Sequence, residues 1–253
     1  MPGNHRAAAE RSQTESPGKA WLRPGGANVQ ARHRLLESVA LFAVPVFAVV
    51  MVVDVLARSE SAWLLLLLAA LVAHPVADLV SGLVHWAADR VLPASAPYLG
   101  PCFVRPFREH HSDPERIAGH DFIETNGNTC IALAPVMAFV WWWVDGQPRE
   151  SPAALVEAFV LGLVFWLCIT NQIHKWAHMT RPPVAVRWLQ RSRVILEPGH
   201  HAIHHKMPFE ERYCITSGWM NPLIDRSGLL GVLERCCRRA ESFGSTGPGD
   251  GSR

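Results

Sequence analysis

The sequence predicts an all-α integral membrane protein, a helical bundle of about four transmembrane helices with a histidine-rich cap on its cytoplasmic side. Hydrophobic residues make up 49% of the 253-residue chain and are concentrated in four blocks, with polar stretches at both ends and between blocks. Ten of the thirteen histidines lie between positions 85 and 205. The distribution excludes a disordered chain and an ordinary soluble globule, and the six cysteines form no zinc-finger spacing.

The chain divides into three predicted regions. Residues 1–34 are rich in Gly, Pro, Ser, Ala and Arg without an apolar period, which predicts a disordered basic tail. The membrane domain is expected over 35–226, and an amphipathic stretch with a flexible tail over 227–253. The first apolar run, 39–57, is too long and too far from the start for a secretory signal, so we expect a retained transmembrane helix.

Three further apolar runs follow, at 63–86, 129–144 and 153–176. A bilayer core of about 30 Å needs about 20 helical residues, so the first and last of these are long enough to span it. The middle run is short and ends in three tryptophans, which is typical of a membrane interface. A tilted or half-buried segment is therefore an alternative for this run.

Lysine and arginine define the predicted orientation. Six precede the first span, four lie between the second and third spans, and eleven follow the fourth, whereas the two other loops hold one each. By the positive-inside rule, both termini and the segment 90–128 are expected in the cytoplasm. Every histidine from position 85 onward then lies on or near that side.

The second span carries a polar stripe. His74, Asp78, His85 and Asp89 are spaced by 4, 7 and 4 residues and fall on one helix face. Ionisable groups inside a membrane are costly and usually face a site or a cavity. His85 and Asp89, near the cytoplasmic end, are metal-ligand candidates, whereas His74 and Asp78 fit a structural and a functional role equally well.

Further candidates follow in three groups. The polar segment before the third span holds His110, His111 and His120, with Glu109, Asp121 and Glu124 nearby. His174 and His178 end the fourth span at i, i+4 spacing, which places both imidazoles on one helix face. The run HHAIHH adds the i, i+4 pairs His200/His204 and His201/His205.

So many imidazoles exceed the four ligands of one zinc ion and suit two metal ions with open positions for oxygen. Imidazole binds Fe, Cu, Zn and Ni, and iron is favoured where open positions must activate oxygen. A histidine-rich site of this kind can remove hydrogen from an unactivated C–H bond of a lipid chain. The predicted metal ligands are His85, Asp89, His110, His111, His120, His174, His178, His200, His201, His204 and His205.

Several motifs, in order, closely resemble the plasmanylethanolamine desaturase family. They are DLVSGLVHWAAD, RPFREHH, GHDFIETNGN, NQIHKWAH, and HHAIHH followed by YCITSGWMN. The resemblance covers roughly residues 74–222 and excludes the chain before 35 and after about 226. It carries the family's histidine boxes, and with them a catalytic role, onto His174, His178, His201, His204 and His205.

The resemblance implies an O2-dependent desaturase that introduces the vinyl ether double bond into an ether phospholipid, with two iron ions as cofactor. Two electrons would come from an external cytochrome b5-like or ferredoxin-like protein and its reductase, because the sequence has no Gly-rich nucleotide loop. We expect a bacterial inner-membrane enzyme with no nucleic-acid partner. Two alternatives remain: a desaturase or hydroxylase of another acyl lipid, and a non-enzymatic membrane metal or signalling protein.

Overall fold

The computed structural model describes residues 27–245, and over that range the chain is helical without strands. The α-helices are α1 (Ala27–Arg58), α2 (Ala62–Trp86), α3 (Arg105–Ser112), α4 (Phe122–Asp145), α5 (Ala153–Ala177), α6 (Val184–Arg191), α7 (Pro198–His204), α8 (Asn221–Ser227) and α9 (Leu229–Ser245). Two π-helical turns, Ala87–Val91 and Gly100–Val104, and a 3₁₀ turn, Arg116–Gly119, lie between α2 and α4. The all-α prediction is confirmed.

Within residues 27–245, four helices are long and apolar enough to cross a membrane, as predicted: α1, α2 with its π-helical extension, α4 and α5. The third of these helices, α4, is longer than the apolar run 129–144, because it begins at Phe122. The side chain of Asp121, just before it, accepts a hydrogen bond from the Glu124 amide at 2.9 Å. This cap lets a polar first turn join the apolar helix.

The boundary of the predicted N-terminal tail needs correction. Helix α1 begins at Ala27, so residues 27–34 are helical, and residues 1–26 lie outside the described residues. His33 is buried. Its Nδ1 atom lies 2.6 Å from the Tyr98 hydroxyl oxygen, and its Nε2 atom lies 3.1 Å from a carboxylate oxygen of Glu37. At the other end, α9 runs to Ser245 and the last eight residues are not described.

The four long helices pack α2 on α5 and α1 on α4, with α4 and α1 also against α5. Their shared core includes Met51, Met137 and Ala158. A Cβ on Gly162 would lie 2.9 Å from the Ala70 Cα atom, so glycine permits the close approach of α5 to α2. Small residues at such crossings are typical of membrane helices.

The outward surface of the bundle is apolar. Phe42, Val49, Leu64, Leu71 and Phe139 are each more than half exposed. Scattered exposed apolar residues are ordinary on a soluble protein, but helices this apolar on their outer faces suit contact with lipid. The chain is therefore a membrane protein, and its histidines gather where α2 and α5 end.

Candidate metal centre

Four elements bring the candidate ligands together at one end of the bundle. The end of α2 with its π-helical turn, α3, the end of α5, and α7 each contribute. Helix α7 is fixed at its start by Glu197, whose carboxylate oxygens accept hydrogen bonds from the amides of Gly199 and His200 at 2.9 and 2.8 Å. A π-helical turn is rare and frequently occurs at functional sites, and here it carries Asp89.

Cluster one consists of His110, His174, His178, His201 and His205. The Nε2 atoms of His174 and His201 are 2.8 Å apart, and the Nε2 atom of His178 lies 3.2 and 3.0 Å from these two. The Nε2 atom of His205 lies 3.1 Å from that of His201. Ring nitrogens from α3, α5 and α7 therefore converge on one point.

Cluster two consists of His85, His110, His111 and His204, so His110 belongs to both clusters. The Nε2 atoms of His111 and His204 are 3.2 Å apart. One Asp89 oxygen lies 3.1 Å from the Nε2 atom of His111, 3.3 Å from that of His85 and 3.6 Å from that of His204. A carboxylate thus joins three ring nitrogens at the second site.

The nitrogen spacing suits metal coordination. Two nitrogens at about 2.1 Å from one ion and at right angles to each other would lie about 3.0 Å apart. The four Nε2 separations given above for cluster one run from 2.8 to 3.2 Å. Hydrogen bonds alone cannot satisfy such a group, because each neutral imidazole has a single N–H to donate.

Backbone carbonyls fix the rings of cluster two with Nε2 facing inward. The Nδ1 atom of His85 donates to the Tyr213 carbonyl at 3.1 Å, and that of His204 donates to the Glu211 carbonyl at 2.7 Å. The Nδ1 atom of His110 donates to the carbonyl of Phe107. Donation from Nδ1 leaves the Nε2 lone pair for a ligand, as in known metal sites.

Among the buried polar atoms that make no hydrogen bond within the described part of the chain are Nε2 of His110 and Oδ1 of Asp89. Leaving a buried polar group without a partner costs about 1–3 kcal/mol or more. A bound ion would satisfy both atoms, and imidazole with carboxylate is a donor set that suits iron. The residues present therefore fit a pair of metal ions.

The histidines are held in the neutral form that metals require. Burial lowers the pKa of His178 to about 4 and that of His205 to about 3, and repulsion by neighbouring imidazolium groups lowers both further. Burial also lowers the pKa of His110 and His201 well below the ordinary value. At neutral pH these rings keep a free lone pair.

Two of the ten predicted histidine ligands, His120 and His200, lie outside both clusters. The Nε2 atom of His200 accepts a hydrogen bond from the Asn221 side chain at 2.9 Å and packs against Gly218. A Cβ on Gly218, whose φ is +77°, would meet this nitrogen at 2.7 Å. The Nε2 atom of His120 lies 3.9 Å from a Glu124 carboxylate oxygen. The i, i+4 pair His200/His204 is thus not brought to one site.

Asp78 and His74, the first half of the polar stripe on α2, hold two loops in place through hydrogen bonds to their backbone. One oxygen of Asp78 accepts hydrogen bonds from the amides of residues 216–218 at 2.7 to 3.1 Å, and the other accepts from the Met220 amide at 2.9 Å. The Nε2 atom of His74 donates to the Val194 carbonyl at 3.0 Å. We call residues 211–220 the anchored loop. Its role in orienting the histidine rings is a contribution that the spacing of histidines did not predict.

A cavity of about 280 Å³ adjoins the clusters. His110 and His174 form one side, and Phe103, Phe107 and Ile117 supply apolar walls. It is a concave, partly apolar space with ligand-capable groups at one end, which is the usual character of a small-molecule site.

Comparison with known proteins identifies the family. The family model of the lipid desaturase domain matches residues 74–244, so the match extends beyond the C-terminal limit of about 226 expected from the motifs. Plasmanylethanolamine desaturase of Myxococcus xanthus is 45% identical over 172 residues, and plasmanylethanolamine desaturase 1 of mouse is 44% identical over 162 residues. Fatty acid desaturase 4, chloroplastic, of Arabidopsis thaliana is 33% identical over 170 residues.

These alignments cover 68%, 63% and 66% of this chain and 60%, 60% and 50% of the respective relatives. The chain therefore spans about 60% of the length of the two plasmanylethanolamine desaturases. No solved structure matches. The family model covers more than half of the chain and includes every histidine of both clusters, and the chain belongs to the lipid desaturase domain family.

Proposed function

We propose that this protein forms the vinyl ether bond of plasmalogens by removing two hydrogens from carbons 1 and 2 of the sn-1 alkyl chain of an ether phospholipid. The observation that carries the proposal is the pair of histidine clusters beside a cavity at one end of a membrane bundle. The substrate follows from the names of the bacterial and mouse relatives, which are 45% and 44% identical over the aligned region.

Cluster one would hold one iron ion through nitrogen ligands, and cluster two, with Asp89, would hold the second. Such an iron pair would supply O2 activation, and with two electrons and two protons from a donor the CH2–CH2 unit would be oxidised to CH=CH with release of two molecules of water. The residues proposed to be essential for catalysis are His174, His178, His201, His204 and His205.

The chain itself positions the reaction. The Phe107 ring centroid lies 5.1 Å from that of His85 and 6.5 Å from that of His174, so one aromatic side chain packs against a ring of each cluster. The Tyr213 ring packs against the His204 ring, with the two ring centroids 4.9 Å apart. His110 and His174 border the cavity, and an alkyl chain there would present its first carbons to the clusters.

The electrons are proposed to come from a separate cytochrome b5-like or ferredoxin-like protein with its reductase, because the sequence lacks a Gly-rich nucleotide loop. The distribution of lysine and arginine supports placing both termini and the clusters on the cytoplasmic side of a bacterial inner membrane. A donor would then approach from the cytoplasm.

The direct test is expression in a bacterium that makes no plasmalogens, with a 1-O-alkylglycerol supplied as precursor. We expect acid-labile vinyl ether lipids, detected by mass spectrometry before and after mild acid treatment. The product should depend on O2 and be absent with His204→Ala. A Glu60→Gln strain should make normal amounts, because Glu60 is exposed in the turn between α1 and α2 and belongs to neither cluster.

Other outcomes would contradict the proposal. A new double bond in an acyl chain, without vinyl ether, would identify a desaturase of another acyl lipid, as the name of the Arabidopsis relative suggests. Absence of any lipid product and of O2 consumption by the metal-loaded protein, with electron donor supplied, would favour a non-enzymatic metal protein.

A further inference from the structure

Helix α6 and the residues on either side of it carry positive charges that neither metal cluster uses. The segment 181–196 contains four arginines and no acidic residue. All four are exposed, and together we call them the basic surface: Arg181, Arg187, Arg191 and Arg193. Within residues 27–245, none of these four side chains makes a hydrogen bond or an ion pair. Their charges are therefore left for a partner outside this part of the chain.

Helix α6 lies against α5 with one face and exposes the other. Val186 is buried in one apolar cluster with Ile173 of α5. Val184 and Trp188 are 73% and 68% exposed, and because they are four residues apart, they lie on the same face of the helix. The protein thus covers one face of α6 and leaves an apolar side and the arginines bare.

His74 of α2 shows how deep this segment lies in the bundle. It is 12 positions after Ala62, the first residue of α2, and so about 18 Å along the helix. Its Nε2 atom donates to the Val194 carbonyl at 3.0 Å, and its ring centroid lies 4.7 Å from that of Trp219. A bilayer core about 30 Å thick that begins near Ala62 extends past His74. Val194 and Trp219 therefore lie at membrane depth.

Two tryptophans lie beside the arginines. Trp188 follows Arg187 on α6, and the indole N–H of Trp219 donates to the Arg193 carbonyl at 2.7 Å. Trp219 is nevertheless 55% exposed. Tryptophan is enriched where the bilayer core meets the headgroups, and arginine at this level keeps its methylene groups in apolar surroundings while its guanidinium reaches the headgroups.

We propose that the basic surface binds anionic phospholipids of the surrounding bilayer, with Trp188 and Trp219 on the acyl-chain side of the phosphates. Guanidinium matches phosphate geometry and forms charge-assisted hydrogen bonds with it. Four uncompensated positive charges favour a lipid of net negative charge, such as phosphatidylglycerol, over a zwitterionic lipid. None of these residues lines the cavity, so this site is separate from the substrate site and the inference does not rest on the proposed function.

An acidic electron-transfer protein is the other partner that charge alone would allow. A water-soluble protein can approach the guanidinium groups, but it cannot cover exposed side chains at the depth of His74. Trp219 lies at that depth, and Val184 and Trp188 are apolar and exposed beside the arginines. Lipid satisfies both the charges and the apolar side chains, because one molecule carries a phosphate and acyl chains.

The basic surface is connected to the metal ligands by a short path. The Leu196 amide donates to the Thr216 carbonyl of the anchored loop at 2.9 Å. The next residue, Glu197, caps α7, which carries His201 and His204. Lipid that holds α6 in place therefore also holds the segment leading to these histidines, and its binding should raise the melting temperature.

The first test measures which lipid the protein retains. Purified protein is released from nanodiscs that contain equal amounts of phosphatidylglycerol and phosphatidylcholine with the same acyl chains, and native mass spectrometry counts the bound lipids. The surface variant combines Arg187→Gln, Arg191→Gln and Arg193→Gln. The control variant removes three other exposed arginines, with Arg32→Gln, Arg149→Gln and Arg226→Gln.

The wild type should retain phosphatidylglycerol in preference to phosphatidylcholine. At about fivefold for each arginine at a membrane surface, the surface variant should lose at least about tenfold of this preference, and the control variant less than about threefold. Phosphatidylglycerol should raise the melting temperature of the wild type and of the control variant but not that of the surface variant. In neutral detergent without lipid, all three proteins should melt at the same temperature.

The second test locates Trp188. In nanodiscs whose lipids carry bromine on their acyl chains, the tryptophan emission that is missing from Trp188→Phe should be emission that bromine quenches in the wild type. If acrylamide in the water quenches this emission and bromine does not, the surface faces solvent, and an acidic protein replaces lipid as its partner.

Three results of the first test would also overturn the assignment. The first is equal retention of the two lipids by the wild type. The second is an equal change of lipid preference in the surface and control variants, which would reduce the effect to net charge. The third is a lower melting temperature of the surface variant in lipid-free detergent, which would show that the arginines bind other parts of the protein.

Discussion

Replacing Asp78 with asparagine should destabilise the protein strongly although the side chain keeps its size. Asp78 is fully buried, and its two oxygens accept four amide hydrogen bonds from the anchored loop. The same loop supplies the carbonyls of Glu211 and Tyr213 that orient His204 and His85. The substitution therefore weakens cluster two through the loop, without touching a ligand.

The expected loss follows from the hydrogen bonds. An amide oxygen can still accept from residues 216–218, but without the negative charge each bond is weaker by about 1 kcal/mol. The amide nitrogen would face the Met220 N–H, and leaving that donor unpaired costs about 1–3 kcal/mol more. The total is about 4–6 kcal/mol, and at about 2–4 °C per kcal/mol the melting temperature should fall by at least about 8 °C.

The assay is thermal unfolding of purified protein in detergent, with bound iron measured in parallel. Asp145→Asn is the matched control, because Asp145 is exposed at the far end of α4, where a change of about 0.5 kcal/mol or less is expected. Equal melting temperatures and iron contents for the Asp78→Asn and Asp145→Asn proteins would refute the anchoring role.

Three further predictions test the packing and the clusters. His178→Ala should reduce bound iron and abolish product while the protein still inserts into membranes, whereas His120→Ala should retain its iron; equal iron in both variants would count against cluster one. Because the pKa values of His178 and His205 are lowered from about 6.5 to about 4 and 3, the unfolded chain binds more protons, so metal-free protein should lose stability as the pH falls from about 6.5 towards 4. Iron should be lost as the pH approaches about 4, where the folded rings take up protons. An unchanged melting temperature of the metal-free protein between pH 7 and pH 5 would refute the stability prediction. Gly162→Val should cost about 1–3 kcal/mol, because its side chain would meet the backbone of Ala70; Gly162→Ala should cost less, and melting temperatures equal to wild type would contradict the close helix contact.

The membrane helices were predictable because lipid leaves few alternatives for a long apolar run. The residues at which these helices begin and end were harder to predict. The first turn of α4 is polar, so the hydropathy pattern does not predict that it belongs to the helix. It is helical because the Asp121 side chain caps it. Helix α1 begins at Ala27, within the predicted tail, and its His33 is buried against Tyr98 and Glu37. The caps and ion pairs here are local, but the contact of His33 with Tyr98 joins positions 65 residues apart and leaves no local pattern in the sequence.

The histidine spacing predicted which residues gather, but not how they divide. Eight of the ten predicted histidine ligands lie in the two clusters, beside Asp89. In the HHAIHH run, His201 and His205 join cluster one and His204 joins cluster two, while His200 turns towards Asn221. Helical period gives relative directions only, and the position of the anchored loop decides which face meets a metal.

Whether His74 and Asp78 on α2 are structural or functional depends on the groups to which they hydrogen-bond. Asp78 and His74 share the face of His85 and Asp89, and the spacing favours neither a structural nor a functional role. The amides and carbonyl that these two contact come from residues 194–220. Pairing over 120 or more positions leaves no local pattern in the sequence.

Metal analysis of the purified wild-type protein tests the central claim most directly, since the two clusters are proposed to hold a pair of iron ions. Protein loaded under reducing conditions should contain about two iron atoms per chain, and Mössbauer spectroscopy should show histidine-ligated, non-haem iron. One zinc ion per chain with no iron would contradict the account.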